Sequence, residues 1–422
     1  MKVVFATHAY APVVGGAERY AQGLAEALAG LGHEVHVLTP NRVSAEAFYT
    51  TGYSRAGVAS ETMGGVAVHR LRLDPPLLSS FGGASHSLLS DTRRQRMWNS
   101  YERALHDTIA DLSPEVTITL PHDFPNVAAA LTARARGIGV YAPLLHEQDP
   151  AWDIDTIATL VAQSDRVLAM THWERRRLID AYGATPEATL VVPPGVEAPD
   201  VETVAASGRD APYVLSVGRR TASKNLPATA AVVSALRSEG FDLQHLVVGP
   251  GDAHQLDDSL DAFGDAVEVV GEVDEATKWS LIKGAVAMVS MSEHESFGIA
   301  AVESWRMGRP IIALQTPVSK ELVSHNTDGF LVKDASGLHD AVETLLQDPD
   351  RATTMGTAGF EHAKQFSWQT SAEIFLEAVP VPPSGGTTEE RSDDAAEPRP
   401  HPVPPSGGTT EERSDDVDTP GV

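Results

Sequence analysis

The chain has 422 residues, of which 42% are apolar and none is cysteine, and it carries a formal charge of −26 at neutral pH. At roughly 100–200 residues per domain, that length predicts two or three domains, each with a sizeable core. The lack of cysteine excludes disulfides, thiolate catalysis and cysteine-held zinc, and so acidic a chain is set against phosphate backbones, so no nucleic-acid partner is expected. No run of 18 apolar residues occurs, which argues against a membrane-spanning helix. The apolar start is too short for a secretory leader, so a cytoplasmic place is expected.

From the N-terminus, Lys2–Ala6 reads as a buried strand. Pro12-Val13-Val14-Gly15-Gly16-Ala17-Glu18 follows as a tight turn. Then Ala17, Tyr20, Ala21, Leu24, Ala27, Leu28 and Leu31 mark the buried face of a helix, with Gly32 as its stop. Glu34–Leu38 is the next strand, and the series continues through Val66–Leu71, Glu115–Leu120, Val140–Leu145, Arg166–Ala169 and Thr189–Val192. Pro193-Pro194-Gly195 breaks it. A second series runs through Tyr213–Val217, Gln244–Val248, Val267–Val270, Val286–Ser290 and Ile311–Leu314, with helical patterns between most strands. Near-continuous apolar strands alternating with helices predict parallel sheets covered on both faces. Two such series predict two doubly wound domains, whose ligands bind beyond the carboxyl ends of the strands, in the cleft between them. The last 44 residues differ: the fifteen residues of Pro380–Asp394 recur as Pro402–Asp416, rich in Pro, Gly, Ser and acids, and predict a disordered tail.

Three stretches carry chemistry. After the strand Val286–Ser290 comes Glu295-Ser296-Phe297-Gly298-Ile299, then Glu303 inside the helix that begins near Ile299. Gly298 lets the backbone approach a ligand, and free amides at the helix start suit a phosphate. Glu295 can reach a sugar hydroxyl and Glu303 can accept from a ribose; a capped helix with two solvated acids is the plainer reading. After Tyr213–Val217 comes Gly218-Arg219-Arg220-Thr221-Ala222-Ser223-Lys224, where Arg219 and Lys224 can clamp a diphosphate. Only seven lysines occur in the chain, which adds weight to the one placed in a strand-exit loop. Gly15-Gly16 offers amides at a helix start for a further anion. It is not the G-x-G-x-x-G fingerprint, which argues against a dinucleotide reading.

In this order and spacing, Glu295-Ser-Phe-Gly-Ile-Ala-Ala-Val-Glu303, Gly218-Arg219 with Lys224, Gly15-Gly16, Gly32-His33-Glu34-Val35 and Gly271-Glu272-Val273 leading to Lys278 resemble the retaining glycosyltransferases of family four over residues 1–378. The fold so implied is α/β, of the GT-B type: two Rossmann-like doubly wound domains facing across a cleft, plus the disordered tail. The boundaries expected are 1–196 for an acceptor domain and 197–362 for a donor domain, then 363–378 for a helix packing back on the first domain and 379–422 for the tail. The resemblance implies a hexosyltransferase that uses a UDP- or GDP-sugar, with a saccharide or lipid-linked acceptor, in glycan or glycolipid synthesis.

The resemblance also implies residue roles. Arg219 and Lys224 hold the diphosphate and Glu303 the ribose. Glu295 meets the sugar hydroxyls, with the backbone of Phe297, Gly298 and Ile299 beside the sugar and phosphate. Gly271 and Val273 line the base pocket beside Lys278, and Gly15, Gly16 and Gly218 face the diphosphate. His146 lies near the transferred sugar, or is a strand-end histidine, and His122 is a weaker acceptor-side candidate. Retention is then expected without a nucleophilic carboxylate, the leaving phosphate helping to deprotonate the acceptor. No Asp-x-Asp suits a divalent ion near the cleft strands, so no cofactor or metal is expected beyond the nucleotide-sugar co-substrate.

The chain departs from the family pattern at Pro194, where Asn is common, and at Trp305 and Arg306, where small residues are common. A nucleotide-sugar epimerase, a glycan phosphorylase and a non-catalytic nucleotide-sugar-binding protein are the alternatives. Basic and aromatic clusters at Arg93, Arg94, Arg96 and Arg103, and at Trp173 with Arg175–Arg177, read either as solvated helix faces or as peripheral contacts with anionic lipid at the inner face of the cell membrane.

Overall fold

The computed structural model of the chain describes residues 1–13, 15–40, 60–71, 103–120, 137–145, 154–251 and 259–379. The tail with its repeat, His122, His146 and the arginines 93, 94 and 96 lie outside these residues.

The first sheet contains β1 (Lys2–Thr7), β2 (Glu34–Pro40), β3 (Ser60–Met63), β4 (Val66–Leu71), β5 (Val116–Leu120), β6 (Ile138–Tyr141), β7 (Arg166–Ala169) and β8 (Thr189–Val191), in the order β3-β4-β2-β1-β5-β6-β7-β8. All neighbours are parallel except β3, which pairs antiparallel with β4. The wholly parallel sheet expected from the apolar pattern is thus corrected at one edge, where Gly64-Gly65 turns the chain with both residues at positive φ. Ser-Glu-Thr-Met carries too little apolar character to announce a strand. The strand expected over Val140–Leu145 also shifts, to Ile138–Tyr141. Pro143 lacks an N–H for the ladder, and Leu144 turns away at φ 60°. On this sheet pack α1 (Gly16–Gly30), a helix over 103–112 (α2), α3 (Ile154–Gln163) and α4 (His172–Tyr182). In α1 the buried Tyr20, Ala21, Leu24, Ala25 and Leu28 form one face, and Gly32 leaves the helix at φ 88°.

The second sheet contains β9 (Tyr213–Val217), β10 (Gln244–Val248), β11 (Val267–Gly271), β12 (Ala287–Ser290), β13 (Ile311–Leu314) and β14 (Gly329–Val332), in the order β11-β10-β9-β12-β13-β14. β14 was not among the strands expected from the sequence. Its helices are α5 (Leu226–Ser238), α6 (Glu275–Gly284), α7 (Ile299–Arg306), α8 (Pro317–Leu322), α9 (Ala335–Gln347) and α10 (Pro349–Ala363). Two Rossmann-like domains therefore face one another across a cleft. Strand order reverses at β1 in the first sheet and at β9 in the second, and such switch points open a crevice at the carboxyl ends of the strands.

The chain crosses between the sheets twice at one place. Val196 donates its N–H to the Phe366 carbonyl (3.0 Å) and Ser371 Oγ donates to the Pro193 carbonyl (2.6 Å). A Cβ on Gly195 would lie 2.1 Å from the Trp368 nitrogen, so the two segments touch backbone to backbone. The last helix, α11 (Trp368–Ala378), then lies on α1, where the Trp368 ring fills the space left by Gly23 and meets Tyr20 edge-on at 6.0 Å. The unexpected bulk of Trp305 is accommodated in the same manner: it faces Gly359, stacks on His362 and donates Nε1–H to the Asp328 carbonyl (2.8 Å).

Candidate functional site

The sequence-predicted residues gather where the switch points direct them. Arg219 and Lys224 leave β9, Glu295 leaves β12, and Gly15 and Gly16 follow β1. Gly218 is required at the β9 exit: its φ is 142°, and Gly249, at the β10 exit, approaches so closely that a Cβ there would lie 2.0 Å from the Gly218 carbonyl oxygen. Beyond it, Lys224 Nζ donates to Glu295 Oε1 at 2.5 Å. That bond joins the two strand-exit loops that the motifs had treated apart. The Glu293 amide, donating to the Ser223 carbonyl at 3.3 Å, joins them again. Arg219 is exposed and its guanidinium makes no hydrogen bond or ion pair with the described residues, which leaves a cation at the cleft. A pocket behind it is lined by Ser216, Gly218, Arg219, Lys224 and Ser290.

Gly298 caps α7 in the left-handed region, at φ 99° and ψ 48°, and turns the chain from Glu295 into the helix. Phe297 itself is buried and packs edge-on against Phe366 at 5.4 Å, so only its backbone can face the site. Ser296 Oγ donates to the Leu144 carbonyl at 3.0 Å across the cleft. Gly271 ends β11 at φ 81° and accepts the Gly249 amide (2.8 Å), which places it with Val273 beside the β10 exit.

Glu303, only 3% exposed, is the second carboxylate of the motif, and it is held from two domains. Its Oε1 accepts from Lys278 Nζ at 3.0 Å and from Arg19 Nη1 at 2.8 Å. Glu275 closes the ring, with Oε2 2.7 Å from Lys278 Nζ and Oε1 3.3 Å from Arg19 Nη2. The sequence singled out Lys278 among the donor-binding residues, without its partner Glu303, and gave neither Arg19 nor Glu275. The i,i+3 spacing of Glu275 and Lys278 was a legible signal. Arg19 had none, because its partners lie more than 250 residues away.

Gly15 and Gly16 differ in their surroundings: a Cβ on Gly16 would meet nothing within 4 Å, whereas Gly15 is covered. The Glu18 carboxylate folds back over Gly15, where a Cβ would lie 2.2 Å from Glu18 Oε2. A carboxylate at a helix start is the expected counterpart of the helix dipole. Burial alone would push the Glu18 carboxyl up. The hydrogen bond and charge of His8, 3.3 Å from Oε1, with its own backbone and the charge of Arg219, hold it below the usual carboxylate range. The helix start expected to take an anion thus has one of the protein's own carboxylates beside Gly15.

Residues 14–200 match the family described as Glycosyltransferase Family 4, and residues 211–348 match Glycosyl transferases group 1. The chain belongs to this glycosyltransferase family and has its GT-B fold. It is similar to the D-inositol 3-phosphate glycosyltransferase of Kineococcus radiotolerans (33% identity, covering 54% of this chain and 60% of the relative) and to that of Nocardia farcinica (30%, covering 52% and 53%). The chain thus spans a little over half the length of the curated relatives it matches. Among solved structures, it shares its fold with a sucrose-phosphate synthase from Thermosynechococcus elongatus, at a TM-score of 0.70 and 19% identity over 89% of this chain and 97% of the other. The Anabaena protein Alr3699/HepE, solved in complex with UDP and glucose, aligns at a TM-score of 0.66 and 17% identity over 89% and 98%.

Proposed function

We propose that the chain transfers a hexose from a UDP- or GDP-sugar to a saccharide or lipid-linked acceptor, with retention of the anomeric configuration. The observation that carries this reading is the meeting of Arg219, Lys224 and Glu295 at the β9 and β12 exits, with Glu303 one helix turn behind. Two cations at one crevice suit a diphosphate, and they stabilise the charge that grows on it as the sugar departs. Lys224 supplies a further element: bonded to Glu295, it ties the residue that meets the phosphate to the residue that meets the sugar hydroxyls. Diphosphate and sugar are then oriented by one pair of side chains, which is where positioning lowers a barrier. In this reading Gly271 and Val273 border the base, and the leaving phosphate takes the acceptor proton. The solved relative bound to UDP-glucose is consistent with a uridine donor.

The test is incubation of the full chain with UDP-glucose, UDP-GlcNAc and GDP-mannose in turn, with mixed saccharide and lipid-linked acceptors, assayed for both released nucleoside diphosphate and glycosylated product. One donor should turn over. Arg219→Ala and Lys224→Ala should each lower that turnover by roughly a hundredfold, as loss of a charged transition-state contact does, with the melting temperature kept. Near-normal turnover in both variants at saturating donor would overturn the clamp. Binding of a nucleotide sugar with no product from any acceptor would favour the non-catalytic alternative.

A further inference from the structure

The ring of charges around Glu303 is built across the cleft, and its bonding is one-sided. Both cations bind Oε1, whereas Oε2 accepts no hydrogen bond from the described residues. Lys278 is itself buried, with a side chain 7% exposed, and comes from α6 of the same domain as Glu303. Arg19 comes from α1 of the other domain, three residues after Gly16. Two charge-assisted bonds on one oxygen fix the rotation of the carboxyl group and leave the lone pairs of the second oxygen for an incoming donor. The chemistry that such an oxygen fits is a sugar hydroxyl.

We propose that Arg19 is a positioning residue for the donor nucleotide's ribose: together with Lys278 it fixes Glu303 so that Oε2 meets the ribose hydroxyls, and it makes that contact depend on the first domain. This rests on the reading of the cleft as a nucleotide-sugar site. The arrangement gives the first domain a part in donor recognition apart from its glycine pair, of which Gly15 is covered by Glu18. Glu275 serves the same end from the far corner, since its two oxygens hold Arg19 and Lys278 in place. Removing Arg19 leaves Lys278 on Glu303, so the buried carboxylate keeps a cation and the fold is preserved.

The experiment is calorimetric titration of the full chain with UDP and GDP and with their 2′-deoxy counterparts, for the native sequence, Arg19→Ala and Arg19→Lys. The native chain should bind one ribonucleotide about tenfold or more tighter than its deoxy form, the value of a hydrogen bond to a charged group. Arg19→Ala should shrink that ratio to within about twofold while the affinity for the deoxy form changes by less than about threefold. Arg19→Lys should restore part of the ratio, and carries the test if the alanine variant does not fold. An unchanged ratio in Arg19→Ala overturns the proposal, as does an equal loss for both forms, which is the mark of a purely structural role. A native chain that binds neither nucleotide overturns the donor reading and the proposal together. A native chain that binds one of them without discriminating removes the ribose contact but leaves the diphosphate clamp standing.

Discussion

His245 shows what burial does to a single side chain in this protein. It lies in β10 with no exposure, and its Nε2 is 3.0 Å from Ser216 Oγ. Burial pushes its pKa down from 6.5 to about 3. Between those values the unfolded chain holds a proton that the folded chain refuses, so stability falls as pH drops through the window. One such group contributes at most about 1.4 kcal/mol per pH unit. His245→Leu should therefore flatten the acid limb of stability between pH 6 and 4 relative to the native chain, as read from urea unfolding at stepped pH. Parallel limbs would show that the imidazole is protonated in the folded state. Neither the burial nor the partner was legible in the sequence, where His245 was simply one polar letter in an apolar strand. Glu295 and Lys224 differ in this respect: their motifs were legible, but their contact, spanning 71 residues, was not.

At the scale of elements, α1 joins the sequence pattern to the tertiary outcome. Its apolar period announced a buried face, which the structure buries at Tyr20, Ala21, Leu24 and Leu28 while leaving Leu31 exposed, yet the period could not say that a second helix lies on it. Gly23 and Gly30 belong to this one helix and should respond oppositely to the same substitution. A Cβ on Gly23 would lie 2.0 Å from the Trp368 ring, whereas Gly30 has nothing within 4 Å. Gly23→Ala should cost about 1–3 kcal/mol through overpacking against α11. Gly30→Ala should stabilise by a few tenths to about 1 kcal/mol, since alanine loses less backbone freedom on folding. Thermal melts of the two variants decide it, and a Gly23→Ala variant as stable as the native chain would mean that α11 does not bear on α1. A further helix contact was equally hidden: Glu321 of α8 accepts from the His172 and Trp173 amides at 2.6 and 2.8 Å, and so caps α4 from the other domain.

Across the whole molecule these contacts tie the two sheets together. One apolar cluster runs from Phe5 and Leu24 through Trp368 to Tyr213 and Trp305. The Arg19–Glu303, Ser296–Leu144 and Glu321–α4 contacts cross the cleft, and the segments at 193–196 and 366–371 cross beside it. Residues Met1–Val381 form one compact unit. Unfolding should accordingly be a single transition, with tryptophan fluorescence and far-ultraviolet circular dichroism changing together in urea. Two separated midpoints would show that the domains unfold independently despite the shared cluster. Among the described residues no helix is long and apolar enough to cross a membrane, and Leu31 is the exposed large apolar side chain. Of the arginine clusters offered as a lipid-facing surface, Arg175 is spent on the carbonyls of Thr189 and Pro186, and Arg177 lies over the Trp173 ring.

The sequence by itself determined what depends on local order. Strand and helix periods, the glycines at β9 and α7, and the two motifs with their acids and cations are set within windows of about twenty residues, where period and backbone freedom are written directly. Those windows were sufficient for two doubly wound domains and for the family. β3 escaped because Ser-Glu-Thr-Met has little apolar pattern and is stabilised by its neighbour, and β14 because Gly-Phe-Leu-Val is only four residues long. The tertiary structure alone decided which charges meet. Arg19 reaches Glu303 and Lys224 reaches Glu295 because the folded sheets bring distant segments within hydrogen-bond distance. Such bonds act over a few ångströms in space and are blind to separation along the chain, so no spacing in the sequence could announce them.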